Sequence, residues 1–287
     1  MKTRTTVRGL VLGIGAAALI SGAASAADVL VKKAPPPAPA ATPTFDIAFG
    51  GIIMSDYNFR GVSQSNRGPS AGAYFEPQFT TTFGTIYLGL AGYGINWPSA
   101  LGFSDPSAEI DFYGGWRNAW GPFSLDLGAI YYYYPREFFG IDSDFWEIYA
   151  KAAFAITPDL TIGGNIFYTP DLLNYGALLG ASVPGTYASL TAKWVLPWKN
   201  GDLGAYLSGE LGHWWLANII PDYTYFNAGL AFTYKALTLD LRYHGTDLSL
   251  AQCATFLLTV VANPAARWCN DTFIVALKFD TTLNALK

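Results

Sequence analysis

One run, FDIAFGGIIMSDYNFRG from Phe45 to Gly61, constrains this chain more than any other feature. Its odd positions are mostly apolar, with Phe45, Ile47, Phe49, Gly51, Ile53, Ser55, Tyr57 and Phe59. Its even positions carry all the charge, in Asp46, Asp56 and Arg60, beside Asn58. Successive side chains of a strand point to opposite faces, so one face is greasy and the other polar. Read as one strand from 45 to 60, it is two to three times the usual soluble length. A tilted strand crosses a bilayer in roughly 9–11 residues, with the remainder projecting beyond the lipid.

The same alternation returns in twelve segments: 45–60, 70–82, 85–97, 108–120, 123–134, 145–156, 160–168, 186–197, 203–214, 223–234, 237–244 and 271–279. In the fourth, Ile110, Phe112 and Trp116 oppose Glu109, Asp111 and Arg117. Trp146, Ile148 and Phe154 oppose Glu147 and Lys151 in the sixth, and Leu239 and Leu241 oppose Asp240, Arg242 and His244 in the eleventh. A one-residue slip would drive such charges into lipid at about 2–4 kcal/mol for each mid-bilayer Arg or Lys. Charged residues make up only 13% of the chain, against about 25% in average soluble domains.

The connections alternate as well. Phe83-Gly84, Gly121-Pro122, Thr157 to Asp159, Trp198 to Asp202 and Lys235-Ala236 are short turns. Between them fall loops of about ten residues or more, the longest from Gly245 to Asn270. Short turns on one side and long loops on the other are the pattern of outer-membrane barrels, with both termini in the periplasm. An open sheet in lipid would leave edge N–H and C=O groups unpaired, so the ribbon must close. The expected fold is therefore all-β, a twelve-stranded antiparallel transmembrane barrel spanning 45–280, with a tail at 281–287. Trp97, Trp146, Trp214, Trp215 and Trp268 fall at long-loop ends and Trp116, Trp120, Trp194 and Trp198 at short-turn ends. Two interfacial girdles explain most of them; Trp97 and Trp214 have the parity to face inward.

Residues 1–26 read as a secretory signal: Lys2, Arg4 and Arg8, then an apolar run from Gly9 to Ile20, then Ala24-Ser25-Ala26. That run is short of the roughly 20 residues of a spanning helix. Residues 27–44, with five prolines between Pro35 and Pro43, should form an extended periplasmic tether. Without the signal the chain holds 14 basic and 21 acidic side chains, a balance of −7 that argues against nucleic acid. Export to an oxidising compartment makes a Cys253–Cys269 disulfide the favoured reading, closing a loop worth about 3 kcal/mol. The apolar stretch between those cysteines is either a short helix over the barrel mouth or a patch on lipid or a neighbour.

At Ser55-Asp56-Tyr57-Asn58-Phe59-Arg60-Gly61-Val62-Ser63-Gln64 the sequence resembles the Gcw_chp, or TorF-type, family of outer-membrane porins. The resemblance implies a signal peptide followed by an outer-membrane barrel, and brings no substrate or catalytic residue with it.

By parity the bore receives Asp46, Asp56, Asn58, Arg60, Glu76, Glu109, Asp111, Arg117, Asp126, Glu147, Lys151, Lys193, Glu210, Asp240, Arg242 and Lys278. Charges at membrane depth must face water or each other. Asp56, Asn58 and Arg60 form a row that would screen solutes near the long-loop mouth. Eight-stranded barrels are filled by side chains and sixteen-stranded ones hold a channel, so twelve leaves both a narrow lumen and an occluded one open. The favoured function is passive diffusion of small polar solutes through a mixed-charge lumen, with outer-membrane lipids as surroundings and no cofactor. The alternatives are an occluded structural barrel and a barrel lipid hydrolase using His244 with Thr246 or Ser249. With only His213 and His244, no G-x-S-x-G and no metal-ligand spacing, an enzyme is not expected. Oligomeric state is left open.

Overall fold

A computed structural model describes residues 44–97, 106–135, 142–217 and 220–286. The signal segment and residues 27–43 of the tether lie outside the described residues. In chain order the strands are β1 (Thr44–Met54), β2 (Asn58–Phe59), β3 (Val62–Ser63), β4 (Ser70–Thr81), β5 (Gly84–Gly94), β6 (Ala108–Trp120) and β7 (Phe123–Tyr133). They continue as β8 (Phe145–Ala155), β9 (Leu160–Thr169), β10 (Gly185–Asn200), β11 (Leu203–Leu216), β12 (Tyr223–Tyr234), β13 (Leu237–Thr246) and β14 (Thr272–Thr282). Two short helices, α1 (Tyr175–Leu179) and α2 (Leu250–Phe256), lie in the long loops.

Twelve of these strands form a closed antiparallel barrel, and β2 and β3 pair only with each other. Closure joins β1 to β14, from Ala48 opposite Thr282 to Met54 opposite Ala276. No strand edge is left for lipid, which cannot satisfy one. The faces sort as the alternation dictates. Leu190 is 71% exposed and Leu88 68%, both outward, while Lys151, Arg242 and Lys278 are buried inside. Proline cannot donate to a ladder, and at Pro197 the β10–β11 register shifts between Val195 and Lys199.

Three boundaries differ from the sequence expectation. The first long strand stops at Met54, Ser55 still bonds Val275 of β14, and residues from Asp56 onward leave the wall and turn into the barrel. One loop on the long side, 217–222, has only six residues between β11 and β12. At the C-terminus β14 continues to Thr282, whose side chain is buried, into the stretch read as tail.

Some inward glycines exist to make room. A Cβ on Gly89 would stand 2.0 Å from the Tyr113 ring, and one on Gly212 would stand 2.3 Å from the Tyr187 hydroxyl. Each glycine thus seats a tyrosine from the neighbouring strand flat against the wall, and the bore fills with phenol groups.

Candidate functional site

The site begins where β1 ends. Phe59 pairs with Val62 around Arg60 (φ 45°) and Gly61 (φ 91°), a two-residue turn with both central residues at positive φ. That is the tightest hairpin geometry, and it suits glycine at Gly61. At Arg60 it carries strain of about 1–3 kcal/mol, which surrounding contacts must offset. Asn58 helps from within, its Oδ1 accepting from the Gly61 N–H at 2.9 Å. A Cβ at Gly61 would fall 2.1 Å from the Thr246 methyl, so the turn also lies hard against β13.

The strained residue is the best-held one. The Arg60 guanidinium donates to both oxygens of Glu147 on β8, at 2.8 and 2.9 Å. The rings of Phe59, Phe167, Tyr187 and Trp214 surround the same guanidinium, their centroids 4.3–4.8 Å from its carbon. Tyr132 donates to Glu147 at 3.0 Å, and Tyr223 donates to the Arg60 carbonyl at 3.0 Å. A charge-assisted bidentate pair inside an aromatic box is a strong arrangement in a water-poor site. Asp56 accepts from the Ser63 and Ser65 hydroxyls and pairs with Arg67 at 3.5 Å. Burial pushes its carboxyl up, against the opposing pull of Ser63, Arg67 and Ser65.

Below and beside the hairpin most of the other ionisable groups have partners in place. Glu109 accepts from Tyr57 and, at 2.8 Å, from Tyr134. Arg117 donates to Glu76 and Gln78, both at 2.6 Å. Asp126 accepts from Tyr87, whose hydroxyl also meets that of Tyr149. Glu210 accepts from Tyr187 at 2.8 Å. Arg242 donates to Asn227 and Ser208, and Asp240 accepts from Arg242 and Lys278, each at 3.2 Å. Lys151 lies over the Tyr149 ring and Lys193 over that of Tyr206. Asp111 is fully buried, and neither carboxylate oxygen has a hydrogen-bond partner among the described residues.

One expectation therefore changes. Asp56, Asn58 and Arg60 do not form a row along a strand at the mouth; they belong to a hairpin folded into the bore. Glu76, Glu109, Asp111, Glu147, Lys151, Lys193, Glu210, Asp240 and Arg242 are all less than a tenth exposed, packed against one another and against tyrosines.

Three of the five upper tryptophans also face inward. Trp214 packs edge-on against Phe59, Trp97 donates to Gln64 at 2.8 Å, and Trp268 is buried with its Nε1 donating to Asn66. Trp146, Trp215, Trp120, Trp194 and Trp198 stay on the outer surface. Tyr131 and Tyr133 also face out, whereas Tyr132 and Tyr134 line the inside.

Above the hairpin lies a mouth cavity open to the outside. Its roof is helix α2, started by a capping box between Ser249 and Gln252 and tied by a Cys253–Cys269 disulfide. Phe256 points down from α2 onto Tyr223 and Trp214, so this stretch covers the mouth and not lipid. His244 meets the Tyr225 hydroxyl through Nδ1 at 3.0 Å, while Thr246 donates to the Cys269 carbonyl and Ser249 caps α2. Those hydroxyls are already committed, so no nucleophile–base pair is assembled around His244.

Residues 38–278 match a family described as "Bacterial protein of unknown function (Gcw_chp)". No curated protein matches the sequence. Among solved structures, the KdgM porin is similar at 9% identity over 82% of this chain and 98% of that one, with a TM-score of 0.47. An outer membrane channel from Pseudomonas putida F1 is similar at 11% identity over 87% and 100%, TM-score 0.45. LpxR from Salmonella typhimurium is similar at 8% identity over 81% and 99%, TM-score 0.42.

Proposed function

The chain belongs to the Gcw_chp family, and from that premise we propose that it is a porin-like channel of the bacterial outer membrane, closed by its own hairpin. The solutes would be small and polar, moving by diffusion when the hairpin withdraws Arg60 from Glu147. Export would use residues 1–26 as signal, and residues 27–43 would tether the barrel on the periplasmic side.

The observation that carries this reading is the chemistry of the filling. A barrel needed only as a solid anchor is filled more cheaply by apolar side chains, because a buried ion pair seldom recovers its desolvation cost. Here the bore keeps Arg60, Glu147, Arg117, Glu76, Arg242, Asp240 and Lys278 in pairs. Such a lining can hydrate when opened, whereas an apolar one would stay dry. The closing element is a separate hairpin that is not part of the wall, so it can move without unpairing any barrel strand.

Planar-bilayer recording tests the proposal. Wild-type protein should be mostly shut, and Glu147→Ala should show long-lived conductance steps. Silence from both, with correctly folded barrels, would leave the occluded structural barrel as the surviving reading.

A further inference from the structure

The mouth cavity is chemically unlike the bore beneath it. Its walls include Phe59, Trp97, Tyr134, Phe145, Trp214 and Trp268, filled out by leucines, and none of the described lining residues carries a charge. From these walls we infer a binding site for a small, apolar, aromatic molecule that arrives from outside the cell.

The rings and the hydrogen-bonding capacity of the lining both lead there. Ligand sites of drug-sized molecules are mostly apolar, with few polar groups, and so is this lining. The rings stand at mixed angles, with Trp97 and Tyr134 centroids 4.5 Å apart and Trp214 and Phe256 6.1 Å apart. That leaves both faces and edges for a flat guest to meet, the arrangement aromatic pairs prefer.

Most polar atoms of the lining are already used by the protein. Gln64 accepts from Trp97 at 2.8 Å and donates to the Val62 carbonyl at 3.2 Å. Tyr134 donates to Glu109, Tyr175 to the Phe256 carbonyl, and Trp268 to Asn66. Trp214 Nε1 is a donor with no partner among the described residues. A sugar or charged metabolite would lose its hydration here and recover almost none of it, at a cost that disfavours such guests. A benzenoid molecule with at most one acceptor would lose little. This inference does not rest on the gate: binding needs neither a moving hairpin nor a conducting bore.

The test uses full-length protein in nanodiscs titrated with 1-naphthol, read by quenching of tryptophan emission against empty nanodiscs. The expected result is saturable quenching at one probe per barrel. Leu257→Trp, which grows a ring into the cavity, should weaken it about tenfold, and so should Trp97→Ala, which removes a wall. Heat-modifiable migration on gels verifies that each variant is a closed barrel. Quenching no different from partition into lipid, equal quenching in Leu257→Trp, or saturation by maltose in place of naphthol would each overturn the inference.

Discussion

Arg60 and Glu147, 87 positions apart in the chain, meet inside the barrel through two parallel contacts of 2.8 and 2.9 Å. Glu147 sits on the wall and Arg60 on the hairpin, so this pair is one of the ties between the two. Removing one partner of such a pair leaves a buried charge uncompensated, at about 3–5 kcal/mol.

The box can be emptied and refilled. Arg60→Ala should raise channel activity while leaving Glu147 and the Phe167, Tyr187 and Trp214 rings in place. Adding free guanidinium should then shut the variant again, and equal concentrations of sodium should not. Conductance traces with and without guanidinium decide it, and a variant indifferent to guanidinium would refute the role given to the box.

The turn itself is the next weak point. Gly61→Val places a branched side chain at φ 91° and against the Thr246 methyl. Left-handed backbone costs an ordinary L-residue roughly 1–2 kcal/mol before any clash. The hairpin should be displaced while the barrel stays closed, read as faster labelling of a cysteine placed at Ser63. Labelling as slow as in the parent would show that the turn tolerates bulk.

Reduction separates the roof from the wall. Breaking Cys253–Cys269 should loosen the 247–271 loop by about 3 kcal/mol in the chain-entropy model. Protease should cut that loop sooner in reducing buffer, and the mobility of the folded barrel on gels should not change. Loss of the folded barrel on reduction would contradict this division.

The two faces of the wall differ in what they tolerate. Leu190→Arg on the outer face should cost about 2–4 kcal/mol if it lies near mid-bilayer. Arg242→Met on the inner face exchanges a guanidinium for an apolar side chain of similar length and should cost less than removing Asp240, the carboxylate that Arg242 and Lys278 share. Urea unfolding in lipid measures all three, and equal costs on both faces would mean the assignment of sides is mistaken.

The wall was legible because lipid enforces a strict rule. Every residue such as Leu88 or Leu190 must be apolar, every one such as Lys151 or Arg242 must turn inward, and the short turns fall where two strands run out of bilayer. The hairpin was not legible by the same rule. Asp56, Asn58 and Arg60 keep the two-residue rhythm of the strand before them, so periodicity alone extends β1 through them. The available signal was Gly61 directly after Arg60, a turn pair hidden in what resembles a strand end. Trp268 was misplaced for a related reason: a loop has no period, and only the fold of 247–271 over the mouth decides that its ring is buried.

The hairpin lies between the first two strands of the wall, yet its partners are made much later. Its strut Glu147 is on β8, Tyr223 on β12 holds the Arg60 carbonyl, and the Trp268 carbonyl accepts from the Ser63 N–H. A partly synthesised or half-inserted barrel contains the stopper but not its seat. The contacts of the hairpin are therefore complete only when β12 and the 247–271 loop are in place.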